Sequence, residues 1–398
     1  MNSKNRSAMR SKSWLVVMSV VLALSLVVAG CSGGGSGSSS PSPSPSASPS
    51  AQPSESSAAP TDSGEQPTDS DGIPAPFLQD KPLRIALIRE LTAGAWGEQY
   101  LAGAQAQAKE LGVELLVSNA EGNVARHVSL VESAIRDKVD GLIIGHGKAD
   151  ALQPVVEQAR AAGIPVVLDN LSMNLPDVPE VEQDDFMMAY QGLKKLVEDT
   201  NGEANLVYIN VGGFPPMERR NKIYENILWR FPGIKEVTTF GNATASTMAD
   251  TMTRMESVLR QHPKGTIDVV WAPWDEFAKG ATEAIQQAGR TEIKVYSVDV
   301  TDADIQMMIR PDSPWVATAA ADASAAGRVG VRAVAQLIAG EEVPKYLMVP
   351  PMLITQEFLL ENNITNLVEL GEKAPAFSNV NVAISPWMEA LKERNAGK

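Results

Sequence analysis

The chain has one cysteine, Cys31, and three histidines, His127, His146 and His262, in 398 residues. A single thiol excludes an intramolecular disulfide, paired-cysteine zinc sites and iron–sulfur clusters. Three scattered histidines do not suggest a metal centre, and no cofactor is expected. Basic residues are also few: Lys and Arg total 34 against 48 Asp and Glu, a formal net charge of −14. A nucleic-acid binder needs a basic face to neutralise phosphates, so that class is excluded. No P-loop pattern occurs, and Gly145-His146-Gly147-Lys148 lacks the other parts of a phosphate loop. Gly30-Cys31-Ser32-Gly33-Gly34 matches the spacing of a serine-hydrolase elbow but lacks the strand before it and the helix after it that an elbow needs. The neighbours Asp184-Asp185 and Asp275-Glu276 do not share a helical face, so they read as caps or solvated charges. No Cys or His is placed as a nucleophile–base pair. Binding rather than catalysis is the expectation, and the protein is not read as an enzyme.

Positive charge is concentrated at the start. Lys4, Arg6, Arg10 and Lys12 precede an uncharged, mostly apolar run from Trp14 to Ala29. That run is shorter than the ~20 residues of a membrane-spanning helix, and with its basic flank it reads as a secretory signal over residues 1–30. Val28-Ala29-Gly30-Cys31 resembles the bacterial lipobox, which implies cleavage before Cys31 and lipidation of its thiol. Residues 31–80 are rich in Ser, Gly, Pro, Ala and Thr, with no Lys or Arg between Ser13 and Asp80. Such a stretch has too little apolar surface to offset its ordering entropy and is expected to be a disordered tether.

From Lys81 the pattern changes to short apolar runs alternating with helical periods. The runs RIALIR (84–89), VELLVS (113–118), GLIIG (141–145) and PVVLD (165–169) suit buried parallel strands, and NLVYINV (205–211), DVVWA (268–272), KVYSVD (294–299) and WVATAA (315–320) repeat them. Helices of ~12–16 residues between strands imply parallel sheets with right-handed crossovers. A body of this length exceeds one core, so two lobes are expected. They are placed at 81–184 plus 321–350 and at 185–320 plus 351–365, with 366–398 a C-terminal extension. The fold class is α/β: two doubly wound parallel-sheet lobes joined by a hinge, with ligands at the carboxyl ends of the strands.

Residues 84–350 resemble the type I periplasmic binding proteins of the ribose and galactose group. The resemblance rests on ordered stretches: IALIRELTAGAWGEQYLAGAQAQAKELG (85–112), DGLIIG (140–145), AAGIPVVLD (161–169), MERRNKIYENIL (217–228), APWDEFAKGATEAIQQAG (272–289) and KVYSVDVTD (294–302). It implies ligand contacts at strand-end loops: Thr92 and Trp96 in the first loop, His146 after the third strand, Asp169 and Asn170, then Arg220, Trp274 and Asp299. Asn170 stands where the family has Arg, and Trp274 where it usually has Asn. A sugar or polyol suits this set, because Asp, Asn and Arg can each meet hydroxyls with more than one hydrogen bond. Trp96 and Trp274 could cover the C–H face of a ring. The implied function is a monomeric, lipid-anchored receptor on the outer face of the cell membrane that hands a monosaccharide or polyol to an ABC permease. An alternative is a receptor read by a membrane sensor kinase. A LacI-type regulator would need a DNA-binding head where this chain has its signal and tether. A secreted carbohydrate enzyme would have to turn its sugar over. Cleft substitutions are expected to spare the fold.

Overall fold

The structure is a computed structural model that describes residues 68–90 and 94–396. Cys31, Thr92, the expected signal peptide and most of the expected tether lie outside the described residues. The body begins earlier than the composition implied. Thr68 bridges Pro74, Ala75–Leu78 forms a short 3₁₀ turn, and Ile73 is fully buried. Residues 68–80 are therefore folded chain rather than tether. A few apolar side chains, Ile73 and Phe77 above all, pack on the body and outweigh a polar composition.

The first sheet is built from β1 (Arg84–Arg89), β2 (Glu114–Asn119), β3 (Gly141–Gly145), β4 (Val166–Asp169) and β5 (Glu180–Gln183). The helices α1 (Ala95–Leu111), α2 (Val124–Arg136) and α3 (Ala149–Ala161) connect its first four strands. Every residue of β3 and β4 is buried, as expected for strands covered on both faces. Asn123 caps α2, its side chain accepting from the amide of Arg126.

The second lobe repeats the rhythm with α4 (Asp185–Thr200), β6 (Glu203–Ile209), α5 (Pro215–Arg230), β7 (Gly233–Phe240), α6 (Thr247–Gln261), β8 (Val269–Ala272), α7 (Asp275–Gln287), β9 (Lys294–Val298), α8 (Asp302–Met308) and β10 (Trp315–Ala320). The chain returns to the first lobe through α9 (Ala323–Ile338) and β11 (Tyr346–Val349), then crosses again into β12 (Met352–Thr355). The sheet orders are β2-β1-β3-β4-β5-β11 and β7-β6-β8-β9-β10-β12. All pairings within these sheets are parallel except β10 with β12. The lobes are two doubly wound halves, and the chain passes between them at Asp184, at Ala321–Asp322 and at Pro350–Pro351.

Beyond β12, α10 (Gln356–Glu361), α11 (Leu367–Lys373) and α12 (Pro375–Ser378) stay on the second lobe, where Leu359, Leu370 and Phe377 join its core. The last helix, α13 (Pro386–Ala396), returns to the first lobe and packs on α1. Trp387 stacks at a tilt on Phe77, 4.7 Å between centroids, and Arg394 pairs with Asp69 and Asp71. The C-terminal extension thus fastens the start of the folded body.

Candidate functional site

In a 2-1-3-4-5 sheet, ligands lie at the carboxyl edge where the winding reverses, between β1 and β3. Arg89 closes β1 at that point in the first lobe, and His146 follows β3 beside it. Arg89 is buried, its guanidinium 4.0 Å from the Tyr100 ring centroid and 5.2 Å from that of Trp96. It donates to Nδ1 of His146 and stands 3.6 Å from the Asp169 carboxylate. Trp96 stacks on Tyr100 and meets His146 edge-on. Asn170 donates to Asp169 Oδ1 at 2.9 Å. The loop after it is held by Glu180, whose Oε1 accepts from the amides of Leu171 and Ser172 at 2.6 and 2.5 Å.

The second lobe presents the matching edge. Arg220 is buried: its Nε donates to Asp185 at 2.8 Å, its Nη1 to the Pro273 carbonyl at 2.6 Å, and its fork faces Asp299 at 3.2 and 3.4 Å. Trp274 follows at the start of α7, edge-on to Phe277. Arg219, absent from the sequence reading, spans the cleft. It pairs with Asp185 at 2.7 Å, reaches Asn170 Oδ1 at 3.1 Å and donates to Ser172 Oγ.

Three of the expected residues share a backbone signature. His146, Asn170 and Asp299 each follow a strand end with positive φ, at 44°, 53° and 76°. That left-handed region is sparsely used by non-glycine residues and costs of order 1–3 kcal/mol each, so it persists where surrounding structure demands it. The structure brings together Trp96, His146, Asp169, Asn170, Arg220 and Asp299 and sets Trp274 beside Pro273; it adds Arg89, Arg219 and Asp185. Asp322, at the second crossing between the lobes, caps α9 by accepting from the amides of Ser324 and Ala325.

Burial raises Asp169, and Arg89 pulls it back. Burial likewise raises Asp299 against the pull of Arg220. Burial, then the charges of Arg89, Arg219 and Arg220, hold His146 well below the usual imidazole range, so it is neutral and accepts from Arg89. Among the described residues, Nε and Nη1 of Arg89 and Nε1 of Trp96 are buried donors without a partner in the chain. Donors of this kind suit the oxygens of a hydroxylated ligand. No group of carboxylates, histidines or thiols among the described residues could hold a metal.

In each acidic pair one member is buried rather than solvated. Asp184 caps α4, as expected, but Asp185 is buried and holds both arginines. Asp275 is buried too and shares Lys279 with Glu276. The reason is position: these pairs open helices where the two arginines of α5, or Lys279 from the next turn of α7, offset the burial of Asp185 and Asp275.

His127 lies under the loop that carries His146, within 3.0 Å of where a Cβ on Gly147 would sit. Burial lowers it to about 4. The unfolded chain would bind the proton at ~6.5, so folding resists protonation and this stability is lost as pH falls below ~6.5. Between pH 7 and 5 the loss from His127 comes to about 2 kcal/mol. His127→Gln is expected to flatten the pH dependence of urea unfolding by that amount, and parallel curves would contradict it.

The family model described as "Periplasmic binding protein domain" matches residues 85–342. A solved 5-methylthioribose transporter solute binding protein from Thermotoga lettingae, in complex with 5-methylthioribose, is 51% identical. The match covers 78% of this chain and 99% of that one, with a TM-score of 0.76. A solute binding protein from Agrobacterium vitis with bound allitol is 28% identical over 71% of this chain and 98% of its own, with a TM-score of 0.66. The curated xylitol-binding protein of Mycolicibacterium smegmatis is 27% identical over 62% of this chain and 70% of its own length. The printed ligands of these relatives are sugars or polyols, and the two solved ones share this chain's fold. The chain belongs to the periplasmic binding protein domain family, in its type I, sugar-binding group.

Proposed function

We propose that this chain is a lipid-anchored extracytoplasmic receptor that closes on a sugar or polyol and delivers it to an ABC importer, and that its ligand is 5-methylthioribose. The observation that carries the reading is the facing pair of strand-end arrays: Arg89, Asp169 and Asn170 on one lobe, Arg219, Arg220 and Asp299 on the other. Carboxylates accept from hydroxyls while guanidinium and amide groups donate, so a polyhydroxylated ring is met on both sides. Trp96 on one lobe and Trp274 on the other would supply the apolar surface that a methylthio group needs and sulfur–aromatic contact favours. Support for that ligand comes from the Thermotoga lettingae protein, solved with 5-methylthioribose.

Lipidation at Cys31 would hold the body at the membrane through the Ser/Pro tether, and two or three acyl chains suffice for stable retention. The receptor acts as a monomer, and closure of the lobes creates the surface a permease reads. The test is mass spectrometry of small molecules released from the purified full chain by denaturation. A 5-methylthiopentose or another small sugar released in stoichiometric amount is expected. Release of an amino acid or peptide instead would overturn the reading.

A further inference from the structure

The loop after β3 does two things within three residues. His146 lies among Arg89, Trp96 and Asp169. Lys148, two positions on, extends across the cleft to the second lobe. Its Nζ donates to the Gly213 carbonyl at 2.5 Å and sits 4.9 Å from the Phe214 ring centroid. Both acceptors are prepared. Gly213 has φ of +88°, a conformation open to glycine, and its own amide donates to Glu218 Oε1 at 2.7 Å, which ties the turn to α5. Phe214 directly precedes α5, the helix that carries Arg219 and Arg220. On its own lobe, Lys148 faces Glu90, a carboxylate buried at the end of β1.

We infer that Lys148 is a closure latch: a positioning residue whose bonds to Gly213 and Phe214 exist only when the lobes are shut and which thereby sets how long the ligand is held. The geometry argues this from sequence distance and element identity. Lys148 directly precedes α3 of the first lobe and Gly213 lies in the β6–α5 loop of the second, so a hinge opening must break both contacts. A cation over an aromatic face and a charge-assisted hydrogen bond together suffice for about a tenfold effect on a rate. Because the contacts form only on closure, they act on release rather than capture. His146 in the same short loop links the latch to the occupied cleft.

The inference rests on the proposed sugar-binding role, and the test separates the two. Stopped-flow binding of 5-methylthioribose to the full chain is compared for wild type, Lys148→Met, Phe214→Leu and the double variant. Lys148→Met is expected to raise the dissociation rate about tenfold with an association rate within about twofold of wild type. Lys148→Arg, which keeps a donor and a planar cation, should restore most of the loss. The double variant should be no faster in release than the worse single variant, because both side chains form one latch. An unchanged dissociation rate, or additive effects as expected of a lysine that touches the ligand directly, would overturn the latch. Should wild type bind no 5-methylthioribose, that ligand assignment fails and the same rates are read with ribose and xylitol; a dissociation rate for Lys148→Met equal to that of wild type then overturns the latch.

Discussion

Asp185→Ala is expected to destabilise the body by about 3–5 kcal/mol, the cost of leaving buried charge uncompensated. Asp185 is 1% exposed and sits at the first crossing between lobes. Its Oδ1 accepts from Arg220 Nε at 2.8 Å and its Oδ2 from Arg219 Nε and Nη2 at 3.0 and 2.7 Å. Both arginines are buried, so neither can turn to water when the carboxylate goes. Arg220 would keep Asp299 and the Pro273 carbonyl, whereas Arg219 would keep Asn170, Ser172 and Glu182. Asp184→Ala, one residue earlier, removes only a helix cap and should cost about 1 kcal/mol. Urea unfolding of the two variants beside wild type checks this. A loss below about 1 kcal/mol for Asp185→Ala would show that the arginines find other partners.

Gly327→Ala is the second large loss, expected at about 2–3 kcal/mol or more from overpacking. Helices α1 and α9 cross with their backbones in near contact. A Cβ on Gly327 would lie 2.1 Å from the Tyr100 carbonyl oxygen and 2.8 Å from the Ala104 amide nitrogen. The contact is reciprocal, since a Cβ on Gly103 would fall 2.0 Å from the Ser324 carbonyl oxygen. Neither obstacle is a flexible side chain, so the helices must separate. Helix α1 also carries Trp96 and Tyr100, which flank Arg89, so Gly327→Ala should weaken ligand binding together with stability. Thermal unfolding and sugar titration of the same variant read both effects. Wild-type melting would mean that the helices already stand further apart.

Much of the fold was legible because buried parallel strands are short and almost wholly apolar. Arg84–Arg89, Gly141–Gly145 and Trp315–Ala320 fall where RIALIR, GLIIG and WVATAA place them. The strand Met352–Thr355, which pairs with β10 of the other sheet just after Pro350 and Pro351 carry the chain between lobes, has no reading in the sequence because four residues show no period. Residues 68–80 look like linker because their few apolar side chains pack on parts of the chain far away in sequence, Phe77 on Trp387 among them.

The site was legible at strand ends and obscure in its counter-charges. Arg89 reads as the solvated terminus of a strand, although its place beside the β1–β3 switch was a usable signal. In Met217-Glu218-Arg219-Arg220 the resemblance selects one arginine, while the helix buries both. The expectation that cleft substitutions spare the fold does not hold for Arg220 and Asp299. They form a buried ion pair joined to Asp185, so removing either should cost stability as well as affinity.

The most direct test of a sugar-binding cleft is calorimetric titration of the full chain with 5-methylthioribose, ribose and xylitol, repeated on Asp299→Asn. The account predicts saturable one-to-one binding, strongest for 5-methylthioribose, and at least a tenfold loss in Asp299→Asn, ~1.4 kcal/mol or more. No saturable heat with any of the three, or a variant that titrates as wild type does, would contradict it.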